Sequence, residues 1–194
     1  EQAANAFEQL STADPTNAAY RNGLAWTYSH LADLLWRMEK PESARDYYGK
    51  ALQLRLQLVD EPEHFNSLAR LIVACRDPDL ATGDRAIEAA KQAVEFAPDN
   101  ARYVTTLGSA YAQFGKYDEA IETLRAVDKL GPRGGTTHEF WLAFALAQRH
   151  AEGDMNEAQN RFEQAVTRME LNAPARNELI QLHALVESLL AEPG

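Results

Sequence analysis

The chain has 194 residues, 45 % of them hydrophobic, which is enough to bury a packed core. Nineteen Lys and Arg against twenty-nine Asp and Glu give a formal net charge of −10, which argues against a nucleic-acid backbone or an anionic membrane as partner. One cysteine, Cys75 in the apolar run LIVAC, excludes an internal disulfide and reads as a buried, inert thiol in a reducing, cytoplasmic setting, and no apolar run approaches the ~20 residues of a membrane span.

Apolar residues recur at steps of three and four along nearly the whole chain, as at Leu107, Tyr111 and Phe114, while strict alternation is rare. The chain is therefore predicted to be all-α. The opening EQAANAFEQL reads as helix without a capping residue, so it is expected to belong to a longer polypeptide; residues 1–13 form a half repeat. After the break DPTN, residues 16–60 hold two long helices parted by EKPES. DEPEH opens a pair over 63–97 whose helices are separated by the enlarged turn RDPDLATGD. APDN precedes a pair over 100–131, LGPRGG a pair over 136–170 that turns at EGDMN, and PARNELIQLHALVESLLAE supplies a capping helix over 173–191. These breaks divide the chain into about ten helices.

The second helices repeat a pattern: a small residue, an aromatic or small apolar one four positions on, and another apolar one three further. It occurs at Ala44, Tyr48, Ala51; Ala86, Ala90, Ala93; Ala120, Leu124, Val127; and Ala158, Phe162, Ala165. The leading alanines lie 42, 34 and 38 residues apart, and Pro62, Pro98 and Pro132 lie 36 and 34 apart, a recurring unit with its length variation in the turns. Gly108 and Ala120 are expected to face each other and let two helix axes approach, Gly115 to end a helix in the left-handed region, and Tyr111 and Tyr117 to fill the gaps between helices.

Leu107, Gly108, Tyr111, Ala120, Leu124 and Pro132 stand at the separations of the tetratricopeptide pattern, and the chain resembles a tetratricopeptide-repeat array over nearly its whole length. Pro15, Asn17, Leu31, Ala32, Leu35 and Ala44 repeat the theme with a lengthened first helix. So do Leu68, Ala69, Ile72 and Ala86, and Leu142, Ala143, Leu146 and Ala158, while Ala3, Phe7 and Pro15 give the half repeat. The resemblance implies a right-handed superhelical solenoid of antiparallel helix pairs, with about four repeats between the half repeat and the capping helix. It also implies a concave face lined by the first helix of each pair. Matched in register, that groove contains Trp26, Asp33, Trp36, Arg37, Asn66, Arg70, Arg102, Thr105, Ser109, Gln113, Phe140, Phe144 and Gln148. Aromatic and arginine side chains are the usual anchors of protein interfaces. Chaperone-binding relatives clamp a peptide carboxylate with Lys and Asn; Ser29, Asp33, Asn66, Arg70, Thr105 and Ser109 stand there instead, so that clamp is not reproduced. The run from SLARLIVACRDPDL to ELIQLHALVESLL, with the long-helix segment before it, is also similar to C-terminal repeat regions of large bacterial signalling proteins, including some built around Ser/Thr kinases.

Catalytic chemistry finds little support. His30, His64, His138, His150 and His183 have no metal-ligand spacing, and the pairs His183–Glu187 and His138–Glu139 are of a kind that chance supplies in acidic helices. GPRGGTTHEF lacks the spacing and lysine of a phosphate loop and reads as a link with Thr136 or Thr137 as helix cap. The expectation is a non-catalytic module without cofactor or metal. It would bind a protein or peptide, or another domain of its own polypeptide, in the groove; self-association is the alternative and a hydrolase the remote one.

Overall fold

The structure, a computed structural model, describes residues 2–58, 61–131, 135–171 and 177–191. Among these are ten helices and no strand: α1 Gln2–Ala13, α2 Ala18–Arg37, α3 Pro41–Leu56, α4 Pro62–Ala74, α5 Gly83–Phe96, α6 Ala101–Gln113, α7 Tyr117–Lys129, α8 Gly135–Arg149, α9 Asp154–Leu171 and α10 Asn177–Ala191. Their starts follow from local chemistry. Asn17 caps α2 by accepting from the Ala19 and Tyr20 amides at 3.1 and 3.3 Å, and Asn100 caps α6 through the Arg102 amide at 3.1 Å. Pro41 and Pro62 open α3 and α4, where a missing N–H removes nothing the helix would use. Backbone contacts gather the chain into two compact units, Glu1–Ala93 and Val94–Gly194.

In the first unit α2 and α3 form an antiparallel pair with Ala32, Ala44 and Ala51 fully buried at the seam. Tyr48 is 2 % exposed, and its hydroxyl donates to Asp33 at 2.5 Å. Lower down the pair, Arg55 is buried and donates to the Asn22 side chain. α1 lies on α2 through two contacts: Phe7 packs over Gly23, where a Cβ would come within 2.4 Å of its ring, and Tyr28 donates to Glu8 at 2.5 Å. The turn between α4 and α5 is held by Arg45, which bonds Asp77 at 2.5 Å and Asp79 at 2.6 Å. Cys75 is buried beside it, and desolvation pushes its thiol up to about 11, an inert setting for a thiol at neutral pH.

The second unit packs α6 with α7, α8 with α9, and α10 against both α8 and α9. Its core joins Ala120, Ile121 and Leu124 of α7 to Phe140, Leu142, Ala143 and Leu146 of α8, Ala158 and Ala165 of α9, and Leu182 and Val186 of α10; Tyr111 and Tyr117 pack against its edge. Gly108 does provide a close approach, but the atoms that would meet its Cβ belong to Leu124, at 2.5 Å, rather than to Ala120. Gly115 has φ 77° and ends α6 as expected. Thr136 and Thr137 lie inside α8, which begins at Gly135, so neither is its cap; Pro132, Arg133 and Gly134 of the same loop lie outside the described residues.

Candidate protein-binding surface

The thirteen expected groove positions differ sharply in what they offer a ligand. On α2, Trp26 is 59 % exposed, with its ring T-shaped to that of His30 at 4.0 Å between centroids and 72°. Arg37 is exposed roughly three turns further along the helix, while Asp33 and Trp36 are half-buried, Asp33 being engaged by Tyr48. On α4, Arg70 is exposed and Asn66 is completely buried; among the described residues neither polar atom of the Asn66 amide has a hydrogen-bond partner.

In the second unit, Arg102 is exposed with its guanidinium 5.3 Å from the centre of the Tyr103 ring, and Gln113 is exposed at the other end of α6. Thr105 and Ser109 between them are buried, and their hydroxyls donate back to the Ala101 and Thr106 carbonyls at 2.7 and 2.8 Å. Hydroxyls spent on their own helix leave no donor for a ligand. Phe140 is fully buried, edge-on to Phe162 at 5.8 Å, and Phe144 is 9 % exposed between Tyr117 and Trp141, with Trp141 at 5.6 Å and 89°. Gln148 is half-buried and accepts from the Tyr117 hydroxyl at 3.4 Å. The two phenylalanines thus belong to the core, and among the thirteen the exposed side chains are Trp26, Arg37, Arg70, Arg102 and Gln113.

One cluster arises across helices, where sequence spacing gives no signal. Asp128 of α7 accepts from Arg161 of α9 at 2.8 and 3.1 Å and meets His138 of α8 at 3.1 Å. Burial raises the Asp128 carboxyl, but the Arg161 and His138 hydrogen bonds outweigh it and hold it below its ordinary value. Beside it Glu139 is 2 % exposed and pairs with Arg168 at 2.8 Å; desolvation raises its carboxyl against the pull of Arg168 and His138. His183 approaches Glu187 only to 3.9 Å. Among the described residues no group of three His, Cys, Asp or Glu could hold a metal, and no helix is long and apolar enough to cross a membrane.

Stacked helix pairs with open first-helix side chains define a helical-repeat protein of the all-α class. The tetratricopeptide-repeat pattern matches residues 24–66 and again 82–134. Over these two segments the chain carries tetratricopeptide repeats. It is 40 % identical over 73 residues to the BBSome complex member BBS4 of Bos taurus, a match that takes in 37 % of this chain and 14 % of that protein. Among solved structures it is similar to TTC0263, a thermophilic tetratricopeptide-repeat protein of Thermus thermophilus, with TM-score 0.65 and 19 % identity over 96 % of this chain and 88 % of that one. MamA is also similar, with TM-score 0.54 and 21 % identity over 86 % of each chain. These two likenesses are of fold alone. Tetratricopeptide repeats make the chain a protein–protein interaction module, built on a fold that typically serves as a non-catalytic scaffold.

Proposed function

We propose that the array binds an extended or helical protein segment along its first helices and thereby recruits a partner, or another part of its own polypeptide, to a neighbouring domain of a larger bacterial signalling protein. The observation that carries this reading is the set of exposed side chains within the first unit, Trp26 and Arg37 on α2 and Arg70 on α4; the second unit exposes Arg102 and Gln113 on α6. A stiff aromatic face and arginine forks supply contact area and directed hydrogen bonds at low entropic cost, which is how protein interfaces concentrate their energy. The ligand's charge is expected to be acidic near Arg37 and Arg70 of the first unit. The module itself is non-catalytic in this reading and works in the cytoplasm.

A Trp26→Ala/Arg37→Ala/Arg70→Ala variant tests it, since all three side chains are exposed and their loss should leave the fold intact. A peptide selected from a displayed random library by the intact chain should bind this variant at least tenfold more weakly at unchanged helicity and melting temperature. Equal affinity for both proteins would remove the surface from consideration.

A further inference from the structure

The first unit buries a positive charge with too few partners. Arg55, in the last turn of α3, is 6 % exposed, and its guanidinium donates to the neutral side chain of Asn22 on α2. Among the described residues its buried Nε–H has no hydrogen-bond partner, and the side chain joins no ion pair. Asn66 on α4 is fully buried, and neither its Oδ1 nor its Nδ2 is hydrogen-bonded there. An arginine stays charged even when desolvated, and a buried charge without an opposite one is the costly case.

The two side chains face the same space. α3 packs on α4, and Glu63, Asn66 and Arg70 follow at steps of three and four, so they share one face of α4. The Arg55 guanidinium senses both ends of that stripe: burial disfavours its charge most, Glu63 favours it and Arg70 opposes it. Asn66 lies between those two positions. Glu63 makes no hydrogen bond to Arg55, and Ser67 of its own helix approaches its carboxylate at 3.5 Å. Arg70, one turn beyond Asn66, is exposed and marks the side open to solvent. A carboxylate answers what is missing, because one oxygen can accept from Arg55 Nε–H, the other from Asn66 Nδ2–H, and its charge neutralises the guanidinium.

We propose that Arg55 and Asn66, with Arg70 at the mouth, take up one aspartate or glutamate side chain of the bound segment between α3 and α4. This rests on the surface proposed above only for the source of the carboxylate. It adds what that surface selects, an acidic residue read by a buried arginine of a second helix. The unpartnered Asn66 amide is then a stability cost kept for binding.

The test follows two proton signals of the whole chain by NMR. The Arg55 Nε–H resonance is assigned by its absence from Arg55→Lys, and the Asn66 side-chain amide by its absence from Asn66→Leu. The probes are N-acetyl-glutamate amide, whose one carboxylate is on the side chain, its neutral match N-acetyl-glutamine amide, and acetate. The glutamate probe and acetate should shift both resonances along saturable curves, and the glutamine probe should leave them in place. Asn66→Leu, read at Arg55, and Arg55→Lys, read at Asn66, should each bind the glutamate probe at least tenfold more weakly. Circular dichroism checks that both variants keep the fold. No library-selected peptide enters these measurements, so failure of this site and failure of the wider surface are told apart. No shift with any probe, an equal shift with the glutamine probe, acetate binding without the glutamate probe, or undiminished binding by either folded variant would each overturn the proposal.

Discussion

The side chain of Leu124 occupies the space that a Cβ on Gly108 would need: Cγ and Cδ2 would lie 2.5 and 2.6 Å from it. Leu124 is itself fully buried and joined to Ile121 and Phe140 in the core, so it has nowhere to move. Gly108→Ala would gain ~1 kcal/mol of helix propensity, yet overpacking costs about 1–3 kcal/mol, and the collision should win. We expect a net loss of stability by urea denaturation. Gly49, which has nothing within 4 Å of its Cβ position, is the control: Gly49→Ala should stabilise.

Three first helices end in the same way, and only one of them uses glycine. Glu39 after α2, Gly115 after α6 and His150 after α8 occupy equivalent positions with φ of 58°, 77° and 54°. The closure is the same at two of them: Lys40 donates to the Leu35 carbonyl and Lys116 to the Tyr111 carbonyl, both at 2.9 Å. A side chain in the left-handed region costs roughly 1 kcal/mol that glycine avoids. Glu39→Gly and His150→Gly should therefore each raise stability by about 0.5–1 kcal/mol, and Gly115→Ala should lower it by about 1 kcal/mol. Melting curves of the three variants check all three signs.

Acid should weaken the two arginine clasps. The Arg45 hydrogen bond holds the Asp77 carboxyl below its ordinary value, and the Arg149 hydrogen bonds do the same for Asp154. A carboxyl whose folded pKa is depressed stabilises the fold above the unfolded value of 3.8 and loses that contribution as pH falls through the folded one. Since Arg45 is half exposed, we expect Asp77→Asn to cost only ~1–2 kcal/mol at about pH 7, with the gap to the unaltered chain closing below about pH 4. Glu139 has the opposite sign, because desolvation raises it: its contribution improves as pH falls, and Glu139→Gln should stabilise the neutral-pH protein. Urea titrations across pH measure both.

Asn66 carries a cost that nothing among the described residues offsets. A buried amide without partners destabilises by about 1–3 kcal/mol, so Asn66→Leu, close in volume, should raise the unfolding midpoint. A drop instead would mean that the amide has partners in solution.

Helices and their repetition are legible because they are written locally. Proline, glycine and asparagine mark each break, and the spacing from Ala44 to Ala51 or Ala120 to Val127 follows from the 3.6-residue turn alone. Which side of a helix meets solvent is not local. Phe140 and Phe144 share a register with residues expected to be open, but α7, α9 and α10 close over them. Thr105 and Ser109 look like ligand donors until their carbonyl partners are located. The Asp128–His138–Arg161 contact joins three helices at separations of 10 and 33 residues, beyond any periodic signal. Gly108 is recognisable as a close approach, but its partner is Leu124, one turn along the neighbouring helix from Ala120, and spacing cannot distinguish the two.

The edge-on contact of Trp141 with Phe144 has a spectroscopic consequence. Of the chain's three tryptophans, Trp26 and Trp36 lie in the first unit and Trp141 in the second. Trp26, largely in water, should emit at the red end of the native band, and Trp141, packed against its ring neighbour, at the blue end. Following the two edges of that band through one thermal ramp would report the melting of each half from a single unlabelled sample.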